Sequence, residues 1–169
     1  MDILVYKDKV KVALEAYLSI ENLPSEVDVD FPVFLIPKDK VFNAIEFLKK
    51  DPSLSLSFLT TMFGIHYPDH LGQEFALVYQ LHNMKTNERV RIRTVMAKDD
   101  LVMPSITPIF AGANWMEREA FDFYGFTFTG HPNLARILNM DEMNYHPMRK
   151  EYRLEDEGRS DKDDKYFGR

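Results

Sequence analysis

Residues 131–169 limit what the rest of the chain must do. They mix prolines (Pro132, Pro147), alternating charges and isolated large apolar groups (Leu134, Ile137, Leu138, Met140, Met143, Met148, Tyr152, Leu154), with no sustained helical or strand period. Such a stretch cannot bury enough apolar area to offset an ordering entropy of about 1–2 kcal/mol per residue. It is also too apolar for a solvated tail. It must lie along something else, either its own domain or a partner. The folded body has to come from the preceding residues, so the chain divides into a domain at 1–130 and an extended, partner-binding segment at 131–169.

The first 130 residues carry clear periods. Val10, Leu14, Tyr17 and Leu18 recur at helical spacing and predict an amphipathic helix from Lys7 to about Asn22, ended by Pro24. The apolar run Val33-Phe34-Leu35-Ile36 predicts a strand near 31–36. Asp39 is placed to cap a helix through Val41, Ile45 and Leu48, which Asp51-Pro52 stops. Leu54, Leu56 and Phe58 alternate with serines as a strand does, although Leu59–Met62 also fits a helical turn. Phe75–Leu81 and Arg89–Val95 read as two strands joined by a polar hairpin loop, the second with an apolar face (Val90, Ile92, Thr94) and a basic one (Arg89, Arg91, Arg93). Pro104 and Pro108 keep 103–108 extended. Asn114 is placed to cap a helix to about Tyr124, with Gly125 as a left-handed terminator.

Composition removes whole classes of function. At 169 residues the chain is about one domain long. It has no cysteine, which excludes disulfides, thiol catalysis and cysteine-held iron–sulfur clusters. A net charge of −6 argues against nucleic acid as a partner. No run of about 18 consecutive apolar residues offers a membrane span. Met1-Asp2-Ile3 opens no secretory signal, which predicts an intracellular protein. The glycines form no nucleotide-binding loop, and no G-x-S-x-G elbow occurs.

Chemistry-bearing residues concentrate between Asn114 and Leu138. On a helix Trp115, Glu119 and Asp122 share a face, and Arg118 and Asp122 are spaced to pair. Glu117 and Glu119 point to different sides, which argues against paired catalytic carboxylates. Three acids near His131 raise a metal site, but no ligand pair at helical spacing accompanies them. His66 and His70 are four apart with Pro68 between, so they read as loop. His82 and His146 read as ordinary polar residues. Trp115 and Phe121 are expected in the core, and Glu117, Arg118, Glu119 and Asp122 in ion pairs and caps that fix the helix and the exit of the C-terminal segment. A stand-alone enzyme using Glu117, Glu119, Asp122 and His131 would need these groups to converge on one pocket.

The run from Trp115 to Leu138, with its Glu-Arg-Glu, Asp, Gly-His-Pro and Arg-Ile-Leu, closely resembles the signature of the C, or 30-kilodalton, subunit of NADH–quinone oxidoreductase, respiratory complex I. The likeness extends back through Phe58-Leu59, Gly64–Pro68, Phe75–Tyr79, Arg91–Arg93 and Pro104–Phe110, and forward to His146–Tyr152, about residues 54–154 in all. Ala135 stands where that family usually has a basic residue, Tyr145 where it has Gly, and Arg153 where it has Pro.

The resemblance implies an α+β fold: a two-layer domain with a mixed, largely antiparallel sheet packed by helices, plus an extended C-terminal tail. It implies an accessory, structural subunit of the peripheral arm, gripping the large quinone-site (49-kilodalton-type) subunit near neighbouring iron–sulfur subunits. No cofactor is expected in this chain, since FMN, the iron–sulfur clusters, NADH and quinone belong to other subunits. Membrane association comes only through the complex, on the cytoplasmic side of the bacterial inner membrane. The same likeness admits a scaffold subunit of a related membrane-bound hydrogenase or complex I-like oxidoreductase. The signature and interface residues it marks are Trp115, Glu117, Arg118, Glu119, Asp122, Gly125, His131, Pro132, Arg136, His146, Pro147, Arg149 and Lys150. Met140, Met143, Met148 and Tyr152 are the expected apolar anchors. Alternating Arg149, Lys150, Glu151, Arg153, Glu155, Asp156 and Glu157 are expected to set register by charge complementarity.

Overall fold

The computed structural model describes residues 2–152. Helix α1 spans Ile3–Leu18. It begins earlier than the apolar period predicts because the Asp2 carboxylate accepts from the Leu4 N–H at 2.8 Å, and Tyr6 joins the core. It also ends earlier, where Ser19 turns left-handed with φ 51°, so Pro24 does not terminate it. The chain then forms β1 (Ser25–Asp28), antiparallel to β2 (Phe31–Leu35), the strand that the apolar run predicts. A single 3-10 turn at Lys38–Lys40 leads into α2 (Val41–Lys50). Asp39 sits inside that turn and does not cap the helix. The following carboxylate, Asp51, accepts from the Ser53 and Leu54 N–H groups and turns the chain away.

Three long strands follow: β3 (Phe58–His66), β4 (Phe75–Asn83) and β5 (Glu88–Met96). They form an antiparallel meander that returns to β2, which pairs parallel with β5. The sheet order is β1-β2-β5-β4-β3, mixed and mainly antiparallel. The alternation at 54–58 belongs to the approach to β3, whose first residue is Phe58; Leu54 and Leu56 are buried before the strand begins. Alternation on β5 resolves as expected. Val90, Ile92 and Thr94 are buried, while Arg91 and Arg93 reach across the other face to Asp28 and Glu26 on β1.

A short parallel pair, β6 (Val102–Pro104) and β7 (Thr127–Thr129), brackets α3 (Ala113–Tyr124). Asn114 lies in the first turn of α3 and does not cap it. The backbone has already begun to turn there, with the Ala113 and Asn114 N–H groups bonded to Phe110 and Ala111. The core fills the space between sheet and helices, with Tyr79, Phe34, Phe75 and Phe126 among its largest fully buried side chains. Gly64 on β3 permits a close approach, since a Cβ there would stand 2.7 Å from the rings of both Phe126 and Tyr124. That approach fixes the end of α3 against the sheet.

Candidate functional site

A helix ends with up to four carbonyls that its own turns cannot satisfy. In α3 these are Phe121, Asp122, Phe123 and Tyr124, and each finds a donor further along the chain. Gly125, left-handed at φ 83°, returns its N–H to Phe121 O at 2.9 Å. The Asp122 carbonyl accepts from Arg136 Nη1 and from His146 Nδ1, at 3.1 and 3.0 Å. Phe123 O accepts from the Met148 N–H at 3.2 Å, and Tyr124 O from Arg149 Nε at 2.8 Å. Two guanidinium groups thus sit at the negative end of the helix dipole.

The Asp122 side chain is the centre of this arrangement. Fully buried, it accepts five hydrogen bonds: Arg136 Nη1 and Asn139 Nδ2 on Oδ1, and the backbone N–H groups of Ile137, Leu138 and Asn139 on Oδ2. Burial alone would raise the pKa of this carboxyl, but the hydrogen bonds outweigh it and hold the group well below the ordinary carboxylate range. Arg136 completes its fork by donating to Met143 O and Tyr145 O, so one residue gathers 139–146 around the helix end. Arg118 donates to Ala135 O and Arg136 O, fixing the entry to the same loop.

Beyond the loop, Lys150 N–H bonds to His66 Nδ1 at the end of β3, and the Arg149 guanidinium lies over the Phe75 ring. Burial lowers the pKa of both His66 and His146. Glu117 works on the other side of α3. Its Oε1 accepts from Ile106 N–H at 2.7 Å and ties the chain after β6 to the helix, while Oε2 is buried without a hydrogen-bond partner. Burial raises its pKa. The expected extended stretch 103–108 holds only to Pro104, since the Ile109 and Phe110 N–H groups fold back to Ile106 O in a turn. The His131 ring nitrogens bond to Asn114 O and the Asn133 N–H, with Nε2 4.0 Å from the Glu117 carboxylate.

Of the residues singled out from the sequence, the structure gathers Arg118, Asp122, Gly125, Arg136, His146, Pro147, Arg149 and the backbone of Lys150 at one place. Glu117 and His131 belong to a second, smaller cluster. Trp115, Glu119 and Pro132 are exposed; Glu119 and Pro132 join neither, and Trp115 meets only Arg118 of the first. Trp115 is therefore not a core residue. Its ring, 64% exposed, stacks against the Arg118 guanidinium instead. Phe121 is half-buried against His146. The i, i+4 pair of Arg118 with Asp122 does not form, because Asp122 is turned inward to the following loop and pairs with Arg136. Among the described residues, only Asp122 of the four helix residues makes the expected ion pair to Lys or Arg; Arg118 serves two carbonyls and Glu117 one amide. These acids diverge: Asp122 is saturated by protein donors, Glu117 is buried beneath the helix and Glu119 faces solvent. They share no pocket among the described residues.

Sequence reasoning missed Asn139, His66 and Gly64. His66 is the last residue of β3 and not loop, and the alternation Met62, Gly64, His66 places it inward with them. Nothing periodic marks Asn139. His146 is not an ordinary polar residue, since it braces the helix end. The backbone of 131–152 lies against its own domain, as one of the two options for that segment has it. Its apolar groups mostly do not: Leu138, Met140, Met148 and Tyr152 are 64, 69, 49 and 39% exposed, and Met143 is half-buried. Ala135 contributes a carbonyl, which its side chain does not alter, and the ring of Tyr145 packs 5.0 Å from Tyr152. Leu154, Arg153, Glu155, Asp156 and Glu157 lie outside the described residues.

Comparison with known proteins bears on this junction. The family described as respiratory-chain NADH dehydrogenase, 30 Kd subunit, matches residues 34–158. The NADH-quinone oxidoreductase C subunit of Azorhizobium caulinodans is 41% identical over 116 residues, which are 69% of this chain and 54% of that protein. That of Brucella ovis is 40% identical over 119 residues, 70% of this chain and 58% of that protein. The chain thus spans little more than half the length of these curated relatives. A solved structure of a trypsin-resistant fragment (1–134) of Nqo5 superposes with a TM-score of 0.63 at 26% identity, covering 75% of this chain and 99% of that one. A chain of a membrane-bound sulfane sulfur reductase, an archaeal respiratory membrane complex, shares the fold with a TM-score of 0.69 at 21% identity, over 87% of this chain and 85% of that one.

Proposed function

Because the chain belongs to the 30 Kd subunit family of respiratory-chain NADH dehydrogenase, we propose that it is an accessory subunit of the peripheral arm of an NADH–quinone oxidoreductase. Its work there is mechanical. It scaffolds the large quinone-site subunit and adjoins the iron–sulfur subunits, while FMN, iron–sulfur clusters, NADH and quinone are held elsewhere in the assembly. The residues 1–130 form the body and 131–169 the partner-binding segment. On this reading the protein sits on the cytoplasmic side of the bacterial inner membrane and is held there by its partners. Among its described residues no helix is long and apolar enough to cross a membrane.

One observation carries the reading. The root of the C-terminal segment is locked to α3 by the five hydrogen bonds on Asp122, yet Leu138, Met140, Met148 and Tyr152 face outward. A segment fixed in backbone but apolar on its open side is pre-organised for a protein partner, with less entropy to lose on docking. Pro132 and Pro147 stiffen it further. The exposed charges nearby, among them Lys150 and Glu151, set register more than affinity.

A second reading, the same scaffold role in a related membrane-bound hydrogenase or complex I-like oxidoreductase, is favoured by the fold shared with the archaeal respiratory complex. Mass spectrometry of the proteins that co-purify from detergent-solubilised membranes separates the two. The first reading expects subunits of an NADH–quinone oxidoreductase, and hydrogen exchange within 138–152 that is slower in the complex than in the isolated chain. Equal exchange in both states would defeat the scaffold role.

A further inference from the structure

The two edges of the five-stranded sheet are built differently. β1 is four residues long and carries Glu26 and Asp28, the usual means of keeping an edge from pairing. β3 is nine residues long, and between Phe58 and Ile65 it has no charge and no proline. Phe58 and Phe63 on it are 48 and 38% exposed. Among the described residues no hydrogen bond other than those of the β4 ladder reaches the backbone of Phe58–Ile65.

A groove of about 200 Å³ runs beside this edge. Met62, Phe63 and Gly64 form one wall, and Glu119 and Phe123 of α3 the other, with Met148 completing the lining. Met62 and Phe63 come from opposite faces of the strand, so the groove follows the edge and not a face. Glu119 has no ion pair among the described residues. A groove between an unpaired strand and a helix suits β-strand addition, in which backbone hydrogen bonds supply affinity and alternate side chains supply specificity.

We propose that an extended segment of a partner subunit adds to the sheet at β3, seating an apolar side chain against Met62 and Phe123 and a Lys or Arg against Glu119. The inference rests on the subunit reading only for the existence of that partner. Its surface meets the outward side of 138–152 only at Met148.

The test uses the full chain in its detergent-extracted complex. Exchange of the 58–66 amides should slow by at least about tenfold on assembly, as expected when unpaired edge groups enter a ladder. A photo-crosslinker at Phe63 (Phe63→p-benzoylphenylalanine) should mark one short stretch of one other subunit. Adding Glu119→Lys should cut that crosslink several-fold while leaving the melting of the free protein unchanged. Unchanged exchange at 58–66, or a crosslink only to a second copy or to this chain's own residues after 152, overturns the inference. If the chain co-purifies with its complex and these signals fail, the strand addition alone is wrong. If it joins no complex, both readings fall.

Discussion

Gly125 and His146 approach so closely that a Cβ on the glycine would stand 2.7 Å from the imidazole Nε2, and 2.6 Å from Arg149 Nη2. The glycine also holds φ at 83°, so any side chain is opposed twice, by the backbone and by the residues that cap the helix. Gly125→Ala should cost about 1–2 kcal/mol for the left-handed backbone alone, and more for the displaced side chains. Arg149 would be pushed from its seat beside the glycine. Limited trypsin digestion should therefore cut after Arg149 and Lys150 faster in the variant, and Gly125→Val should be worse.

Asp122→Asn keeps the shape and removes the charge that Arg136 and three amides share. Breaking a buried pair costs about 3–5 kcal/mol, and each kcal/mol lowers Tm by about 2–4 °C in a chain of this size. The pH dependence follows from the depressed pKa. The stabilisation is whole above the ordinary carboxylate pKa of about 3.9, and is lost as pH falls through the lower native value. Wild type should lose this increment on acidification below about pH 4, and the variant should lack that part of the slope. Identical acid profiles of melting temperature would refute this.

Glu117 should behave with the opposite sign. Its native pKa is raised, so its contribution is whole below the ordinary value and declines as pH rises through the native one. Glu117→Gln keeps an acceptor for the Ile106 N–H and removes the charge. The variant should gain stability relative to wild type as pH rises above the ordinary carboxylate range, read from paired denaturant titrations at one pH near that range and one well above it.

Arg118→Ala removes two bonds to carbonyls at the start of the 135–139 loop and leaves the core untouched. The isolated protein should still melt cooperatively, within about 1–2 kcal/mol of wild type. Recovery of the assembled complex should fall much further. A full melting loss with normal assembly would contradict the role given to the loop.

Much of the fold was legible because it rests on periods. The apolar face of β5, the β4–β5 hairpin, β2 and the left-handed end of α3 all follow from local alternation or from a glycine in a fixed place. Helix starts were less legible. Asp2 lies outside the apolar stripe it caps, and the Phe110–Ala113 backbone turns into α3 without any side-chain cap. The site was half legible. The Glu-Arg-Glu to Arg-Ile-Leu run marked the right stretch, but spacing on a helix assigned Asp122 to Arg118 when its partners lie 14 to 17 residues on. Trp115 was misplaced for a related reason: a large aromatic predicts burial unless something else, here the partner reading, accounts for its exposure.

The capping of α3 by more distant residues has an evolutionary and engineering consequence. Arg136, His146, Met148 and Arg149 each serve a specific carbonyl, so the distances along the chain from Gly125 to these positions are not adjustable. Insertions and deletions between 126 and 149 throw several caps out of step at once, whereas the 68–73 and 84–87 turns carry no such obligation. Chimaeras with relatives should splice cleanly at those turns and fail inside the length-locked stretch.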